Sequence, residues 1–254
     1  MTQQQTTHFG FMQVPVEEKA SRVRGVFDSV ASRYDVMNDV MSAGLHRIWK
    51  HSMVSAIPLH ANMHLLDLAG GTGDIGFRFL ERCRERNLPA HITISDINAA
   101  MLAEGQKRAI DKNIICNLDW LCANAETLPL PDNSVDACTI SFGIRNVTNI
   151  PKALREIHRV LKPSGKFLCL EFSPLTNHHS PITTLYDLYS FHILPRMGKA
   201  ITGDSDSYQY LAESIRNFPE PETFKALIEQ AGFSRVKFET FTFGVVALHT
   251  GWKI

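Results

Sequence analysis

With 254 residues, the chain lies at the upper end of ordinary single domains and is long enough to bury a core without disulfides or metals. Its 26 Lys and Arg balance 26 Asp and Glu, so it carries no global field to hold nucleic acid or another bulk polyanion. A hydrophobic content of 44% excludes disorder, and no apolar run approaches the roughly 18 residues of a membrane span.

The segment MTQQQTTHFGFMQVP has no Lys or Arg and no apolar centre, so it reads as a flexible cytoplasmic head rather than a secretory signal. Residues 16–31 then place Val16, Ala20, Val23, Phe27 and Val30 at helical spacing. The stretch SRYDVMNDVMSAGLHRIWK reads as irregular. A short buried strand at 64–68 breaks into the glycines of AGGTGD, and a helix over 75–86 follows. A second strand at 91–95 leads to a helix that Asn98 is suited to cap, with Met101 and Leu102 on its inner face.

Further strands are predicted at 118–122, 136–142 and 166–172, the last after the turn Lys162-Pro163-Ser164-Gly165. Between the last two, Pro151 suits the first turn of a helix whose stripe is Ala153, Leu154, Ile157, Val160 and Leu161. Strands separated by helices require right-handed crossovers, which predicts a doubly wound α/β fold with a mostly parallel sheet. Residues 173–217 break the alternation and read as an insertion, with a helix over 182–194 carrying Tyr186, Tyr189, Phe191 and His192. A helix over 221–231 ending at Gly232 and two strands, 235–240 and 245–249, close the chain as an antiparallel edge.

Five cysteines without a C-x-x-C pair read as reduced thiols, and no metal is expected. The chemistry concentrates on LDLAGGTGD, which puts Gly70, Gly71 and Gly73 at the carboxyl end of the first parallel strand, where open sheets bind ligands. Gly71, Gly73 and Gly76 also satisfy G-x-G-x-x-G, so an NAD-dependent oxidoreductase must be weighed. A pyrophosphate would sit on the helix N-terminus, but Asp74 occupies that place and Asp67 precedes the loop. No Tyr in the second half of the chain is followed by Lys four residues later. S-adenosylmethionine (SAM) has no phosphate and carries a sulfonium and an ammonium, which acidic groups attract. Asp96, ending the second strand, is the expected ribose ligand, with Ile97 beside it. Asn124 and Ala125, after the third, suit the adenine edge. The bland alternative makes Asp67 and Asp96 simple turn and helix caps.

The loop LDLAGGTGD, the runs ISFGIRNVTNI and RVLKPSGKFLCLEFS and the ending GVVALHTGWK together resemble the ubiquinone/menaquinone biosynthesis C-methyltransferases, the UbiE/COQ5 family. FDSVASRYDVMNDVMSAGLHRIWK and SYQYLAESIRNFP extend the likeness over nearly the whole chain. Ser164 departs from the Gly more usual in that turn. The resemblance implies a Rossmann-like class I SAM methyltransferase fold, with a mostly parallel seven-stranded sheet, an antiparallel C-terminal edge and helices on both faces. It implies SAM contacts from Thr72, Asp96, Asn124, Ala125 and Ser141, with S-adenosylhomocysteine as product. It implies a single domain over 1–254: head and lid at 1–50, SAM core at 51–172, substrate-capping insertion at 173–217, and C-terminal helix and edge strands at 218–254.

The implied reaction is transfer of a methyl to a ring carbon of a reduced polyprenyl benzoquinol, extending in some members to demethylmenaquinol. The resemblance points to Arg145 and Asn146 as the catalytic pair, Arg145 stabilising phenolate charge or orienting a water and Asn146 holding that water or the quinol oxygen. A structural alternative pairs Arg145 with a loop carboxylate such as Asp96 or Glu126. Tyr34, Tyr186, Tyr189 and His192 are candidate substrate residues, and ordinary core packing is their alternative. Phe27, Met37, Met41 and Trp49 read either as a lid over SAM or as packing. A homodimer, a quinone-biosynthesis complex and peripheral contact with the inner membrane are the implied partners, without nucleic acid. Two further readings are a SAM methyltransferase for another small aromatic substrate and a SAM-binding scaffold.

Overall fold

A computed structural model describes residues 6–30, 38–39, 42, 44–175, 196 and 205–254, apart from the side chains of 29, 30 and 205–207. The strands that the sequence marks as short apolar runs form one seven-stranded sheet in the order β5-β4-β3-β6-β7-β9-β8. These are β3 (Met63–Leu68), β4 (Ala90–Asp96), β5 (Leu118–Cys122), β6 (Val135–Ser141), β7 (Leu161–Phe172), β8 (Ser234–Phe241) and β9 (Val246–Trp252). β5 through β7 are parallel, and β9 runs antiparallel between β7 and the edge strand β8.

Side-chain alternation gives the sheet two cores. On one face Leu65 of β3 and Ile92 of β4 pack with Met53, Phe79 and Leu102 from α2 (His46–Ser55), α3 (Asp74–Glu85) and α4 (Ala99–Asp111). On the other, Leu66 and Ile140 pack with Leu154, Ile157, Phe224 and Ile228 from α5 (Ile150–Val160) and α7 (Pro221–Gln230). Asn98 caps α4 as the sequence predicts, its Oδ1 accepting from the Ala100 and Met101 N–H groups. Ser164 has φ 65°, which explains physically why glycine suits that turn.

Two segments differ from the sequence reading. The head is not a flexible tail over residues 6–15: Thr6–Phe9 (β1) and Met12–Pro15 (β2) pair as an antiparallel hairpin ahead of α1 (Val16–Val30). Tertiary contacts supply what local propensity does not. The Phe9 ring stacks on Tyr210 at 4.3 Å, and the Phe11 N–H donates to Glu213 at 3.0 Å. Both partners lie on α6 (Ser205–Arg216), a helix inside the segment read as insertion. The second difference is α2, read as the end of an irregular stretch; its N-terminus has no side-chain cap, so nothing local announces it. The helix read over 182–194 lies outside the described residues.

Candidate active site

The chain order reverses between β3 and β6: β3 continues to β4 on one side, whereas β6 lies on the other. Ligands bind at such a switch point because the loops on its two sides diverge and leave a crevice. Two non-glycine residues there are held at positive φ, Ala69 at 53° and Phe142 at 58°, and strain of that kind gathers at functional sites. A cavity of about 1070 Å³, part of it open to solvent, occupies the crevice. Its lining includes the β3–α3 loop, the ends of β4, β5 and β6, and one face of α1.

The glycine loop lies close to its own support. A Cβ on Gly70 would stand 2.8 Å from both Asp67 Oδ2 and Ile94 Cγ2, so only glycine fits. Gly73, at φ 83°, starts α3 in the left-handed region. It is the one predicted cofactor residue that does not line the cavity. Asp67, Gly70, Gly71, Thr72, Asp96, Ile97, Asn124, Ala125 and Ser141 all do.

The acidic groups fall into two kinds. Asp74 is compensated: its carboxylate accepts from Lys50 and from Arg78, each at 2.9 Å. Burial opposes its ionisation, but those two cations outweigh it and hold the carboxyl well below its usual range. From sequence alone Asp74 is bare negative charge at the helix start; its pairing with Lys50 and Arg78 removes that part. Asp67 and Asp96 carry the rest. Asp67 is 1% exposed, its Oδ1 accepts from Thr139 Oγ1 at 2.9 Å, and its Oδ2 has no hydrogen-bond partner among the described residues. Burial pushes its carboxyl up to about 7. Asp96 accepts from the Gly71 N–H at 2.9 Å and the Asn98 N–H at 2.8 Å; burial still lifts it to about 6.

These residues fit a cationic, ribose-bearing ligand. Asp67 Oδ2 and Ser141 Oγ are buried polar atoms on the cavity wall without partners among the described residues, which a bound polar ligand would satisfy. Asp96 is fixed by backbone N–H groups at the strand end where a ribose diol is read. Asn124 commits its Oδ1 to the Glu126 N–H at 3.0 Å, so its amide N–H groups are what it has left for an adenine edge. Thr72 is buried, and its hydroxyl accepts from Arg108 at 2.6 Å. Phe27 lines the cavity, whereas Trp49 is core, packed on Phe142 and Phe172 with its indole N–H on Thr242. Tyr34, Met37, Met41, Tyr186, Tyr189 and His192 lie outside the described residues.

A short 3-10 turn, Ile144–Asn146, follows β6 and carries the predicted catalytic pair. Asn146 lines the cavity and Arg145 does not. Arg145 turns inward to Glu171 on β7, with Nη1 2.6 Å from Oε1, rather than to Asp96 or Glu126. Nη1 also donates to the Phe142 carbonyl at 2.7 Å, and Nε to Ser214 Oγ at 3.3 Å. Nη2 is the guanidinium nitrogen with no hydrogen bond among the described residues. The side chains of the pair are 4% and 1% exposed; burial raises the Glu171 carboxyl while the Arg145 charge pulls it down, with burial prevailing. Sequence reading missed Glu171, though an acid at the end of an otherwise apolar run was a usable signal. It also missed Tyr210, whose hydroxyl meets Asn146, and Lys50; neither has a local signature.

The fold and the site define a class I SAM-dependent methyltransferase. Solved structures agree on the fold: a putative methyltransferase complexed with the Trm112 activator from Haloferax volcanii matches with TM-score 0.64 at 17% identity, over 91% of this chain and 97% of that one. A SAM-dependent methyltransferase from Aquifex aeolicus matches with TM-score 0.57 at 16% identity, over 81% and 89%. The chain belongs to the ubiE/COQ5 methyltransferase family, whose model matches residues 14–253. It is 55% identical to the ubiquinone/menaquinone biosynthesis C-methyltransferase UbiE of Ruegeria sp. (strain TM1040), over 98% of this chain and 97% of that relative. The relative of the same name in Brucella abortus (strain S19) is 54% identical, over 97% and 90%.

Proposed function

We propose that this chain methylates a ring carbon of a reduced polyprenyl benzoquinol of the 2-polyprenyl-6-methoxy-1,4-benzoquinol type, with demethylmenaquinol as a second acceptor. The observation that carries the reading is the near-full-length likeness to UbiE C-methyltransferases. When bound, SAM supplies a methyl made electrophilic by its sulfonium. Asp67 and Asp96, with the glycine loop and Ser141, hold that donor, and Asn124 and Ala125 read its adenine.

The difficulty on the acceptor side is charge. Ionising a phenol-like hydroxyl of pKa about 10 at pH 7 costs about 4 kcal/mol, and the aromatic carbon is a much better nucleophile once it is ionised. The residues of the β6 rim address that cost. Asn146 donates from its amide nitrogen to the quinol oxygen or to a water upon it. Arg145 lies outside the cavity that Asn146 lines and acts from behind it: its bonds to Glu171, the Phe142 carbonyl and Ser214 fix the turn that carries Asn146. An arginine stays protonated, so its charge stabilises the developing anion, and the hydroxyl proton passes to a water in the cavity. Tyr34, Tyr186, Tyr189 and His192 belong to this reading as walls of the acceptor site.

The chain is a single domain in this reading and works as a homodimer. A greasy acceptor also favours peripheral contact with the inner membrane or with a quinone-biosynthesis complex; no helix among the described residues is long and apolar enough to cross a membrane. The test is incubation with methyl-labelled SAM and short-tailed reduced benzoquinol and naphthoquinol, locating the label by mass spectrometry and NMR. Label on a ring carbon, and only with the reduced ring, supports the reading. Label on oxygen, or none on either ring, overturns it.

A further inference from the structure

The Asn146 carboxamide has two ends, and the structure commits one of them. Its Oδ1 accepts from the Tyr210 hydroxyl at 2.9 Å. Its Nδ2 has no hydrogen bond among the described residues, and the side chain lines the cofactor cavity. Tyr210 approaches from behind. It lines a separate cavity on the other side of the 144–148 segment, together with Arg145 and Ser214, and is itself 5% exposed. A phenolic hydroxyl can give its proton to an amide oxygen but not to an amide nitrogen, so this contact decides which way the carboxamide faces.

The arrangement is held from several sides. Phe9 of the hairpin stacks on the Tyr210 ring at 4.3 Å with 22° between planes, and Arg145 anchors α6 through Ser214. Lys19 of α1 donates to the Val147 carbonyl at 3.2 Å, pinning the backbone that follows Asn146. Burial pushes the Tyr210 hydroxyl up to about 12, so it stays a proton donor across the working range. Nothing in this packing requires a hydroxyl; a phenylalanine would fill the same space.

We propose that Tyr210 is a positioning residue for methyl transfer: by donating to Asn146 Oδ1, it turns the Asn146 N–H groups into the cofactor cavity, where they meet the acceptor oxygen as it gains negative charge. This rests on the role proposed above for Asn146. Without the hydroxyl the carboxamide is free to rotate and present its oxygen to an anion, which repels rather than stabilises.

The test is Tyr210→Phe, which keeps the ring and the Phe9 stack, measured by single-turnover methyl transfer and by calorimetry with SAM. We expect the transfer rate to fall about ten- to a hundredfold, with the SAM Kd and the quinol KM within about twofold of the parent. Asn146→Ala should slow transfer similarly, and the double variant should be no slower than Asn146→Ala alone, because both changes remove one device. Phe9→Leu loosens the same packing without touching the hydroxyl and should lower Tm more than rate. A Tyr210→Phe enzyme at the parent rate, losses that multiply in the double variant, or a Phe9→Leu enzyme as slow as Tyr210→Phe would each overturn the positioning role. Parental transfer by Asn146→Ala would instead remove Asn146 from the mechanism, and Tyr210 with it.

Discussion

The two halves of the crevice handle buried charge in opposite ways. On the β3–β4 side, Asp67 is fully buried and Asp96 partly so, with no cation hydrogen-bonded to either among the described residues, and burial raises both carboxyls. On the β6–β7 side, Arg145 and Glu171 are buried like Asp67 but satisfy each other at 2.6 Å. An uncompensated acid costs stability until a positive ligand arrives. A paired one holds structure and leaves the surroundings nearly neutral, which suits a site where an anion must develop on an apolar ring. In the proposed reading the first half is therefore a receptor awaiting its counter-charge, and the second is a frame already complete.

The sharpest way to break this contrast is to remove one partner on each side. Glu171→Ala leaves the Arg145 charge buried alone and should cost about 3–5 kcal/mol by urea unfolding. Asp67→Asn should do the reverse at pH 8, stabilising the free protein by on the order of 4 kcal/mol while weakening SAM binding about tenfold. The sign follows from linkage. Asp67 has a folded pKa near 7, above its ordinary 3.8, so the folded state holds its proton more tightly and stability falls as pH rises from about 4 to about 7. At pH 4, accordingly, the Asp67→Asn advantage should vanish. Destabilisation by Asp67→Asn at pH 8 would show that the carboxylate is satisfied in the free protein.

Kinetics give the next, smaller contrast. Arg145→Met should slow single-turnover transfer about a hundredfold with a SAM Kd within about twofold of the parent, since Arg145 lies outside the cofactor cavity. An unchanged rate would remove Arg145 from the chemical step. Smallest of all, and away from both halves, Ser164→Gly should raise stability by about 0.5 kcal/mol by relieving φ 65°, read as a shift in the unfolding midpoint.

Much of the cofactor half was legible in the sequence because local chemistry specifies it. The β3–α3 glycines, the aspartate ending β4 and the Asn98 cap are each written within a few residues of where they act. The buried strands were legible too, since burial on both faces leaves apolar runs such as Phe167–Leu170. The reaction half was harder. Arg145 meets Glu171 across 26 residues and Tyr210 meets Asn146 across 64, and no spacing rule reaches that far. The hairpin ahead of α1 escaped for the same reason: its four-residue strands are ordered by Tyr210 and Glu213 on α6 and by Asn217 just after it. Asp74 shows the converse error, a charge read correctly from sequence whose neutralisation by Lys50 could not be.

The contrast is tested most directly by calorimetric titration of SAM into the protein between pH 5.5 and 7.5, in buffers of differing ionisation heat. If Asp67 and Asp96 receive the donor as carboxylates, binding at pH 6 releases protons from the protein, and affinity climbs with pH until the carboxyl of Asp67 has titrated near 7. An affinity flat across that range, with no proton exchanged, would contradict the account.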